Sequence, residues 1–326
     1  MRTVRARLIP RSAFGTLPLG DTLLGQLCWA LRNRHGDGRL SALLDGYTQD
    51  RPFLVVSDAL PAGYLPRPAL PSHRFAALEG VDRKVAKKRQ WMPLEKLNEP
   101  LTDWLRFCRT SAELPGGWFD MHPQPHNSID RRTGTTGENF APYTMRQYWP
   151  GTMISKNGRM PIEMGALDVY LVLDDTRLSI EELRAALSDM GELGFGRDAS
   201  IGLGRFTVQA VESVSLPEQA GANAWLTLAP CAPQGAAWYP EHCFYQVFTR
   251  FGRHGDLAVK RGNPFKTPLL LAASGAVLTP ASYESRLFVG QGLGGDGSLS
   301  QAVPQTVHQG YAPVIGVKIE PTRVTG

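Results

Sequence analysis

Apolar and polar residues alternate from Val4 to Pro10. Val4, Ala6 and Leu8 fall on one side and Arg5 and Arg7 on the other, which predicts a half-buried strand. A Gly- and Pro-containing loop follows, from Arg11 to Gly20. The spacing then changes to that of a helix, with Leu23, Leu24, Leu27, Cys28 and Leu31 on one face. Asp21 or Thr22 is placed to cap its start, and Gly36 lies just past its end. Phe53 to Val56 is an unbroken apolar run that suits a buried strand.

The same strand, helix, strand order returns later. Leu167 to Leu173 predicts a strand with Val169, Leu171 and Leu173 on one face. Ser179-Ile180-Glu181-Glu182 has the form of a capping box, so a helix is expected from there to about Met190. Arg205 to Val208 predicts the next strand. Two β-α-β units point to a ferredoxin-like fold, an antiparallel sheet with helices on one face. The other face of such a sheet is expected to be free, and RNA-binding domains of this topology use it.

Between the two units, basic residues outnumber acidic ones two to one from Arg67 to Arg109, most densely in Arg83-Lys84-Val85-Ala86-Lys87-Lys88-Arg89. That run suits either a solvated face or a phosphate contact. The stretch from Pro115 to Pro150 is rich in Gly, Pro and Thr and predicts a long excursion such as a hairpin. Beyond Leu216 the pattern is β-rich. Strands are expected at Trp225–Leu228, Phe244–Phe248, Pro268–Leu271, Arg286–Val289 and Val314–Ile319, with no strong helix. The expected class is α+β. A first domain spans 1–215 with an insertion at about 60–160, and a β-rich second domain spans 216–326.

A chain of 326 residues, 42% of them hydrophobic, can fill two domains of ordinary size. Its 34 Gly and 25 Pro mark many loops, since the Gly come in short clusters. Lys and Arg number 35 against 30 Asp and Glu, which permits a polyanionic partner without requiring one. Cys28, Cys108, Cys231 and Cys243 form no Cys-x-x-Cys pair, so a zinc knuckle is not expected. Cys231, His242 and Cys243 fit no compact ligand spacing, and reduced thiols are the simpler account. The amino terminus lacks the apolar core of a signal peptide, and no apolar run reaches membrane-spanning length. A cytoplasmic location is expected, with no metal and no cofactor.

Three segments carry candidate chemistry. The first is Gly194-Phe195-Gly196-Arg197-Asp198-Ala199-Ser200-Ile201-Gly202-Leu203-Gly204. Glycines permit positive φ and close approach, so successive amides can cradle a phosphate, with Arg197 adding charge. A glycine-rich turn that only closes the unit is the alternative. The segment is not a dinucleotide fingerprint, because a helix precedes it and a strand follows. The second runs from His126 and Asn127 through Arg131, Arg132, Thr133, Gly134, Thr135 and Thr136. Its hydroxyls, arginines and exposed amides suit sugar and phosphate, with Tyr143, Tyr148 and Trp149 near enough to stack on bases. The third holds Arg250, Arg253, Lys260, Asn263 and Lys266 among Phe251 and Phe265, a basic and aromatic mixture suited to single strands. Catalytic signatures are thin. His35, near the end of the first helix, suits either a general base for RNA cleavage or a helix-terminal cation.

Taken together, these residues resemble the RAMP superfamily of CRISPR proteins, in the branch that supplies the fourth subunit of type III-A (Csm) effector complexes. The glycine-rich segment at 194–204 is similar to the superfamily's signature loop. Leu17-Pro18-Leu19-Gly20-Asp21-Thr22-Leu23-Leu24-Gly25-Gln26 is similar to the branch's amino-terminal motif. So are Asn127-Ser128-Ile129-Asp130-Arg131 with Thr133-Gly134-Thr135-Thr136-Gly137-Glu138, Asn263-Pro264-Phe265-Lys266, and His308-Gln309-Gly310-Tyr311. Leu24 stands where the family usually has a bulky aromatic. The resemblance implies two ferredoxin-like, RRM-related domains, the second degenerate. It implies a non-catalytic subunit that binds the repeat-derived 5′ handle of the crRNA. It implies contact with the large polymerase-like subunit and with a backbone RAMP subunit, and with target RNA only through the complex. Carried onto this chain, the handle's path is expected along Leu19, Gly20 and Asp21, His126 to Thr136, Gly194 to Gly204, and Arg250 to Lys266. A RAMP-type endoribonuclease that processes repeat RNA is the alternative.

Overall fold

The computed structural model describes residues 1–136, 141–151, 165–255 and 263–320. The chain opens with strand β1 (Arg2–Pro10), helix α1 (Gly20–His35), helix α2 (Asp37–Leu44), and strands β2 (Leu54–Val56) and β3 (Leu60–Pro61). α1 begins two to three residues earlier than expected. Leu19 occupies the cap position in extended conformation without a side-chain bond, and Asp21 lies inside the first turn. Gly36 ends the helix at φ +86°, and its amide reaches the Arg32 carbonyl.

The insertion contributes β4 (Tyr64–Pro66), α3 (Arg83–Lys88), β5 (Trp91–Pro93), α4 (Trp104–Phe107), and the hairpin β6 (Asp120–His126) and β7 (Tyr143–Trp149). The expected hairpin is therefore present. Of the basic run, Arg89 donates to the Leu105 and Arg106 carbonyls, a structural role. Then come β8 (Leu167–Leu173), α5 (Ile180–Leu193) and β9 (Phe206–Ser213). α5 opens on the expected box: Ser179 Oγ accepts from the Glu182 amide at 3.1 Å, and the Glu182 carboxylate accepts from the Ser179 amide at 3.0 Å. It runs past Met190 to Leu193.

The first sheet is antiparallel in the order β2-β8-β1-β9. In chain order these four strands stand 2-3-1-4, with α1 after the first and α5 after the third, and a fifth strand, β3, also pairs with β8. Val4, Ala6, Val169 and Leu171 point toward the helices and form one core with Leu23, Leu27, Leu31, Leu183 and Leu187. The opposite face is not the open platform the sequence pattern suggested. Tyr170 and Asp168 on β8 are buried, and Tyr170 joins a second core with Leu60, Leu65, Trp104, Leu226 and Ile315. The reason lies in β8 itself. Leu-Asp-Val-Tyr-Leu-Val-Leu is buried at every position, and a strand apolar on both faces needs a layer on each. Arg7 pairs with the buried Asp168 through two bonds of 2.8 and 2.9 Å on that same face.

The second half holds β10 (Ala224–Thr227), β11 (Val247–Arg250), β12 (Leu269–Ala272), β13 (Val277–Leu278), β14 (Phe288–Gly294) and β15 (Val307–Val317). Four of these form an antiparallel sheet, β13-β10-β15-β14, while β11 and β12 pair as a separate ribbon. Among the described residues beyond Leu216 there is no α-helix. The class is α+β, with several small antiparallel sheets. The halves share side chains. The Gln309 amide bonds both the NH and the carbonyl of Val56 at 2.8 Å, acting as one more rung on the edge of β2. The Tyr311 hydroxyl donates to the Tyr47 carbonyl at 2.9 Å.

Candidate nucleic-acid interface

Three segments distant in sequence meet beside the start of α1. The loop after β1 bridges to the base of the hairpin, where Phe14 and Tyr148 exchange two backbone bonds of 2.8 Å. The glycine-rich loop lies against both. The Gly204 amide donates to the Ala13 carbonyl at 2.7 Å, and the Arg197 amide to Thr16 Oγ1 at 3.1 Å. Gln26 on α1 clamps the loop from the other side: its side chain donates to the Gly194 carbonyl at 2.7 Å and accepts from the Gly196 amide at 2.9 Å. The Arg197 guanidinium reaches Asp198 and the Arg146 carbonyl of β7.

Gly194, Gly196, Gly202 and Gly204 all have positive φ, from +72° to +97°. Packing explains three of them. A methyl at Gly204 would overlap the Phe195 backbone, one at Gly194 the Leu203 carbonyl, and one at Gly196 the Thr16 side chain. Only at Gly202 does a side chain point into open space. The outward part of the loop is thus short. The amides of Asp198, Ala199 and Ser200 have no hydrogen-bond partner among the described residues, and Asp198 holds a left-handed φ of +64° to present them. Arg197 and Ser200 flank these amides.

Gly20 and Asp21 face inward, and Leu19 beside them is half-buried. Gly20 has no room for a side chain against Val56 and Ser57, and its amide donates to Asp58 Oδ1 at 2.8 Å. Asp21 is buried and takes a two-pronged ion pair from Arg250, at 2.6 and 2.7 Å. His308 Nε2 lies 3.3 Å from the same carboxylate but outside hydrogen-bond geometry. Burial works against the Asp21 charge, yet His308 and Arg250 prevail and hold its pKa below the ordinary carboxylate value. Asp58, buried beside it, goes the other way. Loss of solvent pushes its carboxyl up to about 7, with the Gly20 amide opposing and the Asp21 charge adding. The amino-terminal motif therefore serves first to join the two halves. His308 was singled out in sequence only through the closing motif, and nothing there paired it with Asp21.

The hairpin's tip is arranged differently. His126 stacks on Tyr143 with ring centroids 5.2 Å apart. Beyond them, Asp130 closes a tight turn by accepting from the Gly134 amide at 2.8 Å and, through its carboxylate, from the Arg132 amide at 2.8 Å. The Thr133 and Thr135 hydroxyls are 3.0 Å apart. Arg131, Arg132 and Thr136 are exposed, as is Asn127, and neither arginine has a carboxylate partner among the described residues. Gly134, at φ +69°, has nothing near its α-carbon.

In the third segment, Arg253 lies over the Phe265 ring at 5.7 Å, and the Asn263 side chain accepts from the Phe265 amide at 3.1 Å. Burial lowers the Lys266 pKa from its ordinary value, with the Cys28 thiol and the Asp21 carboxylate opposing. Lys260, like Gly137 and Glu138 of the second segment, lies outside the described residues. His35 is exposed in the last turn of α1, fourteen residues and about 21 Å of helix rise from Asp21. Cys243 exchanges contacts with the Thr279 backbone rather than a metal ligand, and no group of three or more His, Cys, Asp or Glu among the described residues is placed to hold a metal.

No family model and no curated protein matches the sequence. Solved structures do match its fold. A chain from the crystal structure of a Csm1-Csm4 cassette in complex with pppApA superposes over 99% of this chain and all of its own length, with a TM-score of 0.58 at 17% identity. A chain from the same kind of cassette in complex with cA4 gives 0.59 at 15% identity over the same shares. A chain from the Csm3-Csm4 subcomplex of the type III-A CRISPR-Cas interference complex gives 0.55 at 12% identity, over 98% of this chain and all of its own. The protein thus has, from end to end, a fold found in type III-A assemblies. Among the described residues no helix is long and apolar enough to cross a membrane.

Proposed function

We propose that this chain is the fourth subunit of a type III-A (Csm) CRISPR effector complex, a RAMP protein of the cytoplasm. One observation carries the reading. The chain's fold recurs over full length in two kinds of assembly, one with Csm1 and one with Csm3, and Csm4 is the component common to both. The 2-3-1-4 sheet with its two helices supports a ferredoxin-like first domain over 1–215, and the helix-poor sheet after it a degenerate second one over 216–326.

In this role the chain is non-catalytic. It holds the repeat-derived 5′ handle of the crRNA and bridges the large polymerase-like subunit to the backbone RAMP subunits, which carry the RNA cleavage. The unpaired amides at Asp198 to Ser200 and the cations of Arg197, Arg131 and Arg132 suit a bent single strand. Asp21 and Arg250 shape the floor of that path by fixing the start of α1 and need not touch RNA. Co-expression with the two partner subunits and a guide tests the reading. Both subunits and the handle-bearing RNA are expected to co-purify with the tagged chain, and a scrambled handle to be lost. Equal retention of scrambled and native handle overturns handle recognition. Cleavage of repeat RNA in EDTA by the isolated protein, lost in His35→Ala, would replace the reading with a processing enzyme.

A further inference from the structure

A groove of about 410 Å³ opens beside β14, between that strand, the loop at 234–238 and the turn after α2. Its size falls within the roughly 300–1,000 Å³ of small-molecule sites. It shares no residue with the segments expected along the handle. Trp225 is its buried floor, and Trp238 meets that ring at a right angle, with centroids 5.9 Å apart at 87°. Trp238 and Phe288 are half-buried and line the same space. Both indole N–H groups are spent inside the protein. Trp225 donates to the Glu284 carbonyl at 3.2 Å and Trp238 to the Pro233 carbonyl at 2.7 Å. The rings therefore offer only faces and edges, which suit a flat ring.

The lining carries two charged side chains, of opposite sign. Arg286 lies over the Trp225 ring at 5.5 Å and gives Nε and Nη2 to the Glu284 carboxylate. Its Nη1 is left for a further acceptor. Asp50 pairs with no cation among the described residues. The Tyr311 hydroxyl stands 3.5 Å from its carboxylate, but that proton goes to the Tyr47 carbonyl at 2.9 Å. An unpaired carboxylate can accept two parallel N–H bonds. A ligand that answers these features has a flat ring, two adjacent N–H donors on one edge and an anion at the other end. Guanine nucleotides have that form, through N1–H, the 2-amino group and the phosphate. Adenine and cytosine present one donor beside an acceptor. A guanidinium has the donors but would bring its charge against Arg286.

We propose that this groove is a guanine-nucleotide site, with the base against the aromatic walls, its donor edge on Asp50 and its phosphate toward Arg286. The site does not depend on the reading of the chain as an effector subunit. The guanine belongs either to a free nucleotide or to a single strand, and the experiment separates the two. The full chain, without partners or guide, is titrated calorimetrically with guanosine, inosine and adenosine monophosphates. The guanosine nucleotide is expected to bind about tenfold or more tightly than the inosine one, which lacks the 2-amino donor, and than the adenosine one. Asp50 sits at φ +56°, a conformation that asparagine also tolerates. Asp50→Asn puts one acceptor and one donor in place of two acceptors. It is expected to lose guanosine monophosphate and to gain xanthosine monophosphate, whose edge carries one donor and one acceptor. Such a gain cannot come from misfolding. Equal affinity for the three nucleotides, or unchanged guanosine binding in Asp50→Asn, overturns the assignment. A short guanine-bearing single strand and its inosine counterpart complete the test. Guanine preference in the strand alone assigns the groove to an RNA base, and binding of guanosine monophosphate itself to a free nucleotide. Preference in neither overturns the proposal.

Discussion

The glycine-rich loop and the tip of the β6–β7 hairpin carry the same residue types, yet they are built in opposite ways. The loop at 194–204 is held from three sides, by Ala13, Thr16 and Gln26, which take up the Gly204, Arg197 and Gly196 amides, and five further amides bond within the loop or to the end of α5. The tip at 127–136 bonds only to itself among the described residues, and its arginines are unpaired. Glycine plus arginine therefore does not by itself separate a packed turn from a binding loop. The space in front of each glycine does. Gly204 faces the backbone of Phe195, whereas Gly202 and Gly134 face nothing.

The largest effect on the fold is expected at Gly204. Valine there would place two methyl groups on the Phe195 backbone at a φ of +72°, where a β-branched residue is itself strained. Gly204→Val should lower the melting temperature by about 10 °C or more, or prevent soluble accumulation. A wild-type melt would show that the loop is not packed as described. Next comes the join between the halves. Arg250→Ala strands the Asp21 carboxylate in a buried site, which costs about 3–5 kcal/mol for a broken buried pair. Denaturant unfolding measures this. Asp21→Asn with Arg250→Met should recover much of the loss, since no charge is then left unpaired.

Asp58 gives a smaller, pH-dependent effect. Its folded pKa of about 7 lies above the ordinary carboxylate value, chiefly through burial. The protonated form is therefore the one the fold favours. Its contribution is full below about pH 4 and is lost as pH rises through 7. The groups that bear on it are the Gly20 amide, Asp21, Ser274 and Arg250. Asp58→Asn keeps an acceptor for Gly20 and removes the titration, so melts of the variant should fall less than wild type between pH 5 and pH 8. Parallel curves for the two proteins would show that Asp58 does not titrate in this window.

The contrast explains what could be read in the sequence. Local signals were strong where one element decides the outcome. The Ser179–Glu182 box, the Val4–Leu8 alternation and Gly36 each fixed an element end or face. The Pro- and Thr-rich stretch gave its hairpin for the same reason. Long-range pairing was illegible. Nothing in the spacing of Asp21, Arg250 and His308 shows that they meet across more than two hundred residues; the sequence alone offers Asp21 as a cap and both Asp21 and Arg250 as part of the RNA path, with no sign of their pairing. The covered back face of the first sheet had a legible sign, the two-sided apolar pattern of Leu167 to Leu173, which single-face alternation had obscured. A glycine's partner is likewise set by the fold: Gly202 and Gly204 are alike in sequence and opposite in surroundings.

The smallest effects on stability should fall where the loop and the tip face outward, and there the discriminating measurement is RNA binding. Gly202→Ala meets no atom and carries only the strain of positive φ, about 1–2 kcal/mol. Arg131→Ala with Arg132→Ala removes two exposed, unpaired cations and should shift stability by no more than about 0.5 kcal/mol. If the tip grips phosphates, the double variant binds handle RNA more weakly. The slope of log affinity against log salt then falls by about 1.4, because two single-strand phosphate contacts are lost at about 0.7 each. Filter binding from low to moderate salt, beside thermal melts, measures both quantities. An unchanged slope with an unchanged melt would remove the tip from the interface and leave the short outward arc of Asp198 to Ser200 to carry it. A lowered melt would instead make Arg131 and Arg132 structural, and the difference between the two regions would vanish.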